Sequence, residues 1–263
     1  MHHHLDLYAY TNRLRSLDPR QKVLFSLGTL GFAFFAHPLV QGLLWLWLVL
    51  WILGYARIPW RVYGLLVGTV MAFWLLSLPA LVVQIVPNRG LELWASAPLA
   101  QLSFGGWSLA VSLESLKQAF ITGLRTTVCS TALLFLVLTT PFPSLLALAA
   151  RWGMPNFVLD VLMLMYRYLF TLLETALTLQ LAQRARGGYQ RRSRWLFSVS
   201  LLAAQLFRRS LRRYHQTNLA LLSRGFQGQF RVFRLQSYAY SQRYSLEMVV
   251  GGSALLLLNR IVA

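Results

Sequence analysis

Residues 184–225 read RARGGYQRRSRWLFSVSLLAAQLFRRSLRRYHQTNLALLSRG. They form the centre of a longer run, 175–246, that contains thirteen arginines and neither aspartate nor glutamate. Around this stretch the chain is apolar: 57% of the 263 residues are hydrophobic and only 12% are charged. Soluble domains carry about 25% charged residues. An apolar chain with one strongly basic region is therefore read as an integral membrane protein with that region on a single side of the bilayer. Backbone groups in lipid have to be hydrogen-bonded internally, so the spans are expected to be helices and the fold an all-α bundle.

The net charge is +18, from 25 Lys+Arg against 7 Asp+Glu. In a soluble chain this excess points to nucleic acid. Here the bases lie between and beyond the apolar runs, the pattern of cytoplasmic loops that face anionic lipid or an acidic protein surface. No nucleic-acid partner is expected. Cys129 is the only cysteine and lies in an apolar run, so no intramolecular disulfide forms. Residues 1–22 are polar and basic and lack the apolar core of a cleavable signal.

Working outward, Leu24–Ala36 and Leu39–Tyr55 are apolar runs separated by His37-Pro38, and together predict a hairpin of two spans. A third span is expected over 62–86, with a kink at Pro79 and a Gly64-x-x-x-Gly68 spacing that lets helix backbones approach closely. Residues 87–117 read as a partly structured external loop. A fourth span covers 119–140, with Arg125 near its outer end and able to snorkel. A last span covers 245–262. The resulting organisation is 1–140 for the lead and four spans, 141–243 for the arginine-rich region and 244–263 for the last span.

Asn156–Ala176 is apolar enough to cross, yet crossing would place all thirteen arginines outside, against the positive-inside bias. The expectation is a long helix over 156–190 that lies along or dips into the inner leaflet without crossing, with a second helix after it, membrane-skimming or buried, through Trp195, Val199, Leu202 and Leu206. With five spans and the N-terminus inside, 21 of the 25 basic residues face the cytoplasm; the exceptions are Arg89, Lys117, Arg125 and Arg260.

Two motifs recur within the basic region, Ala185-Arg186-Gly187 and Ser223-Arg224-Gly225. Glycine after the last helical turn is an ordinary stop, and an arginine there suits the helix dipole. Repetition in an acid-free stretch suggests more: a small residue beside an arginine lets a partner approach, and the guanidinium grips a carboxylate through two parallel hydrogen bonds. The cluster Arg208-Arg209-x-x-Arg212-Arg213 suits anionic lipid as well as a protein partner. His2-His3-His4, His37 and His215 form no preorganised metal site. The seven acids are dispersed, no phosphate-binding glycine loop is present, and the spans hold no buried ionisable pair. Catalytic, cofactor-binding and metal-ligating residues are therefore expected to be none.

The chain resembles the transmembrane T component of energy-coupling-factor (ECF) transporters, in the cobalt-transport CbiQ branch. The likeness runs through Leu5-Asp6-Leu7-Tyr8-Ala9-Tyr10-Thr11-Asn12-Arg13, Asp18-Pro19-Arg20-x-Lys22, Thr139-Thr140-Pro141, Gly153-Met154-Pro155, Arg167, both arginine-glycine motifs and Arg224-Gly225-Phe226-x-Gly228. The resemblance implies a non-catalytic scaffold in a prokaryotic cell membrane. It would sit between two cytoplasmic ABC-type ATPase subunits, which bind ATP and Mg, and a membrane substrate-binding (S) subunit with a small accessory membrane subunit. Arg186 and Arg224 would contact the two ATPases, supported by Ala185, Gly187, Ser223 and Gly225; the family prefers alanine where Ser223 stands. The solute implied is cobalt, with nickel or a vitamin as alternatives. From a different class, a membrane-embedded lipid or phosphate enzyme stands as the competing reading.

Overall fold

The structure is a computed structural model that describes residues 3–87, 100–104, 107–225 and 241–262. Its helices are α1 (His3–Thr11), α2 (Pro19–Phe35), α3 (Pro38–Leu50, continued by a wider turn over Trp51–Tyr55), α4 (Trp60–Val82), α5 (Leu113–Thr139), α6 (Phe142–Arg151), α7 (Asn156–Ala185), α8 (Arg192–Ser223) and α9 (Gln242–Val262). Two compact units result, one of 1–142 with 236–263 and one of 143–235.

The first unit is organised around α5, against which α1, α2, α3 and α4 all pack. Val128, Ala132, Phe135 and Leu138 form a fully buried stripe on α5, at the spacing that brings residues to one helix face. Phe25 of α2 sits at the centre of this core. Its ring lies 5.3 Å from Phe135, 5.0 Å from Trp47 and 5.2 Å from Trp51. Polar groups tie the helices where hydrocarbon contact alone gives little preference: Ser26 Oγ donates to the Ala132 carbonyl (2.6 Å) and Tyr63 shares a hydrogen bond with Thr131. Two small residues admit aromatic rings. A Cβ at Gly123 would overlap the Trp74 ring, whose Nε1 donates to the Ala119 carbonyl, and a Cβ at Gly251 of α9 would overlap Trp47. By contrast a Cβ at Gly64 or Gly68 would meet nothing within 4 Å, so no close helix approach occurs at that pair among the described residues.

The helix breaks track the sequence. Asp18 caps α2 by accepting from the Arg20 N–H, with Pro19 in the first turn. Gln41, fully buried, donates to the Ala33 and Ala36 carbonyls and so closes the C-terminal end of α2. Ser112 and Ser115 form a reciprocal capping box at the start of α5. Arg125 is half-buried with its guanidinium 6.0 Å from the Phe34 ring at the far end of α2.

Helices dominate as expected, and the expected partly structured loop carries a small antiparallel sheet of order β1-β3-β2: β1 (Val83–Pro87), β2 (Ala100–Phe104) and β3 (Trp107–Val111). Phe104 pairs with Trp107 at one end of the β2–β3 ladder and Ala100 with Val111 at the other. The third helix accordingly ends at Val82, where strand β1 begins, and not at 86.

Among the described residues, five helices are long and apolar enough to cross a membrane: α3 with its extension (Pro38–Tyr55), α4, α5, α7 and α9. The number is the expected one; the membership differs. α2 has 17 residues and reaches only about 25 Å, short of a hydrocarbon core of about 30 Å. α7 has 30 residues and qualifies, although the distribution of arginines had assigned it to the inner leaflet. Length and hydropathy read the helix itself, whereas the charge rule reads the segment C-terminal to it.

In the second unit α7 and α8 pack as an antiparallel hairpin. Tyr168 meets Thr217 through their hydroxyls (2.8 Å) near one end, and at the other Gln183 Nε2 donates to the Ser198 carbonyl (3.1 Å). Ser198 is the buried residue of this contact and donates to the Gly188 carbonyl. Of the apolar positions that recur along α8, Trp195 and Val199 are exposed, and Leu202 and Leu206 are half-buried.

Candidate functional site

Both arginine-glycine motifs are helix ends of the same construction. Arg186 closes α7 with φ −89°, ψ 10°, and Arg224 closes α8 with φ −94°, ψ 8°. Each precedes a glycine in the left-handed region, Gly187 at φ +72° and Gly225 at φ +70°, where an L side chain is strained by roughly 1–2 kcal/mol. The Gly187 N–H bonds the Arg184 carbonyl (3.0 Å), the Gly188 N–H the Gln183 carbonyl (3.0 Å), and the Gly225 N–H the Leu222 carbonyl (3.0 Å). These bonds satisfy carbonyls that a helix end otherwise leaves bare. A third glycine, Gly153 at φ +89°, ends α6 in the same way, with the Gly153 N–H on Ala150 and the Met154 N–H on Ala149. Gly153-Met154-Pro155 is therefore a helix stop before α7.

What separates the two motifs from that third stop is the arginine. Arg186 and Arg224 are exposed, as are Ala185 and Ser223 beside them. Neither guanidinium has a hydrogen bond or ion pair to a described residue. Ser223 directs its hydroxyl back to the Ala220 carbonyl (2.9 Å), so it offers a partner little more than the small profile of an alanine. α8 has 32 residues and spans about 45 Å between its ends. Because α7 and α8 run antiparallel, the motifs lie at opposite ends of the hairpin and are not brought together. Arg208, Arg209, Arg212 and Arg213 are exposed along the middle of α8. Arg231, Arg234 and the Phe226-x-Gly228 part of the second motif lie outside the described residues.

A polar cluster that charge patterning missed closes the C-terminal end of α5. Lys22, in the first turn of α2 ahead of the apolar run, is only 1% exposed. Its Nζ donates to the Thr139 carbonyl (2.8 Å). Asn12 Nδ2 reaches the carbonyls of Leu138 (3.1 Å) and Thr139 (3.4 Å). Burial pulls the Lys22 ammonium down to about 8, with Asp18 opposing the shift. A cation at the carbonyl end of a helix complements its dipole. Gln21, also buried, donates through Nε2 to the Ser241 carbonyl (3.3 Å), just before α9. The sequence signals near these ties were the stretch that includes Asn12, Asp18-Pro19-Arg20-x-Lys22 and Thr139-Thr140-Pro141, none of which named the contacts between them.

A multi-pass helical membrane protein whose chain carries an arginine-rich hairpin is the class these features define. The cobalt transport protein family CbiQ matches residues 11–233, and the chain belongs to that family. It is 30% identical over 232 residues to the cobalt transport protein CbiQ of Rhodobacter capsulatus, covering 87% of this chain and 86% of that one. Against the CbiQ of Salmonella typhimurium the identity is 29% over 229 residues, covering 86% and 98%. A Methanocorpusculum labreanum protein named as a fused cobalt transport protein CbiMQ is 29% identical over 234 residues, covering 86% of this chain and 37% of that one.

Proposed function

We propose that this chain is the transmembrane coupling subunit of an ECF-type ATP-driven importer, taking up cobalt or nickel and conveying movement of ATPase subunits to a separate substrate-binding membrane subunit. The observation that carries the reading is the pair of matched helix ends, each presenting an exposed arginine with no hydrogen bond or ion pair among the described residues, about 45 Å apart on one hairpin. One small docking surface does not reach both; two ATPase subunits, one per motif, do. At each end the guanidinium takes a carboxylate in a bidentate pair, and the small neighbours, Ala185 with Gly187 and Ser223 with Gly225, admit the partner's surface.

Membership of the cobalt transport family supports the solute class. The relative named as a fused cobalt transport protein CbiMQ supports a second cobalt transport component as a companion. ATP and Mg belong to the ATPase partners, and the chain itself is non-catalytic. The hairpin faces the cytoplasm of a prokaryotic cell, where the exposed arginines at the middle of α8 also meet anionic headgroups, at about 1 kcal/mol per base near the surface. Substitution of Arg186→Glu and Arg224→Glu together, in cells that also express the partners, is expected to reduce ATPase co-purification and cobalt uptake at least tenfold. Unchanged uptake in that double variant would sink the proposal.

A further inference from the structure

The arginine-rich unit is inserted into the first unit, so the chain leaves that unit after Phe142 and re-enters it at Gln236. Just before the exit, the end of α5 is held by Lys22 on Thr139; just after the return, the start of α9 is held by Gln21 on Ser241. The two anchors are consecutive residues on one helical turn, while the backbone atoms they hold are 117 and 220 positions away from them. The turn is itself fixed by the Asp18 cap and by burial of Pro19, Gln21 and Lys22. Asn12 adds a second hold on the exit.

A buried ammonium is an expensive way to finish a helix, since taking a charge out of water forfeits its hydration. In exchange it gives a charge-assisted bond, roughly twice the strength of a neutral one. We infer that the first turn of α2, through Gln21 and Lys22, is the fixed bearing of the coupling movement: it pins both crossings of the chain, so that force on the hairpin turns the hairpin and does not unwind the end of α5 or the start of α9. The inference rests on the proposed coupling role. Gln21 and Lys22 are positioning residues, since they act only through the backbone they hold.

The test is the variant Gln21→Leu/Lys22→Met in the complex purified with its partners and reconstituted in liposomes. ATP hydrolysed per cobalt ion imported is expected to rise at least tenfold, with the ATPases still attached. Backbone hydrogen exchange at 138–142 and 241–245 is expected to quicken at least tenfold in the same variant. A purely stabilising role would lower the yield or melting temperature and leave the ATP-to-cobalt ratio of the surviving complex at its native value; that result overturns the inference, as does unchanged exchange. Failure of the native chain to retain any ATPase is a different outcome. It removes the coupling proposal and the mechanical role with it, whatever the exchange shows.

Discussion

Arg186 and Arg224 owe their exposure to the glycine next to each. A glycine at positive φ stops the helix, and the preceding arginine is exposed at that helix end. At Gly225 a Cβ would meet no described atom, so Gly225→Ala costs only backbone strain, about 1–2 kcal/mol locally. Gly225→Asn, whose side chain tolerates the left-handed region, is expected to keep ATPase binding within about threefold of native; Gly225→Val is expected to weaken it at least tenfold, both measured by co-purification. Equal binding by the valine variant would show that the stop plays no part in presenting Arg224. This part of the site was legible in the sequence, because helix stops are local and glycine advertises them. Lys22, Asn12 and Gln21 were not legible as a device. Their acceptors are backbone carbonyls of residues far along the chain, and a carbonyl carries no residue type that a pattern could single out.

At the scale of elements, the packing of α4 on α5 depends on one glycine. The Trp74 ring occupies the place of a side chain at Gly123 and uses its own N–H on Ala119. Gly123→Leu is expected to lower stability by about 1–3 kcal/mol, the usual range for overpacking, and to reduce the melting temperature in detergent. Gly64→Leu, on the open face of α4, is expected to leave it within a degree or two of native. A reversed order of these two variants would show that α4 packs through its other face. The contrast shows where periodicity misleads: Gly64-x-x-x-Gly68 matched a packing signature and faces open space, whereas Gly123 stood in no motif and admits the ring. The sheet of β1, β2 and β3 was also hidden, since strand pairing depends on a partner that local hydropathy does not name. Helices, which satisfy themselves, were read to within a few residues at most ends.

For the whole molecule, the helical membrane architecture was legible because hydropathy marked the apolar helices and the clustering of arginine marked a separate basic insertion. The two signals part over α2 and α7, and only an accessibility measurement chooses between them. Gln190, at the tip between the two hairpin helices, carries the choice. A Gln190→Cys variant in a Cys129→Ser background is expected to react with a membrane-impermeant maleimide in inside-out vesicles and to stay unlabelled in intact cells. The reverse labelling would place the arginines outside and undo the coupling role.

The shortness of α2 has a consequence for the surrounding lipid. Its apolar run from Leu24 to Ala36 covers about 20 Å, against about 30 Å for the lipid-facing length of α4. Leu24, Leu27, Phe34 and Phe35 are exposed along that short side. Acyl chains bordering it have to compress or tilt to cover it, at fractions of a kcal/mol per ångström of mismatch. A bilayer of shorter chains would match the apolar run of α2 with less distortion than a thick, sterol-stiffened one.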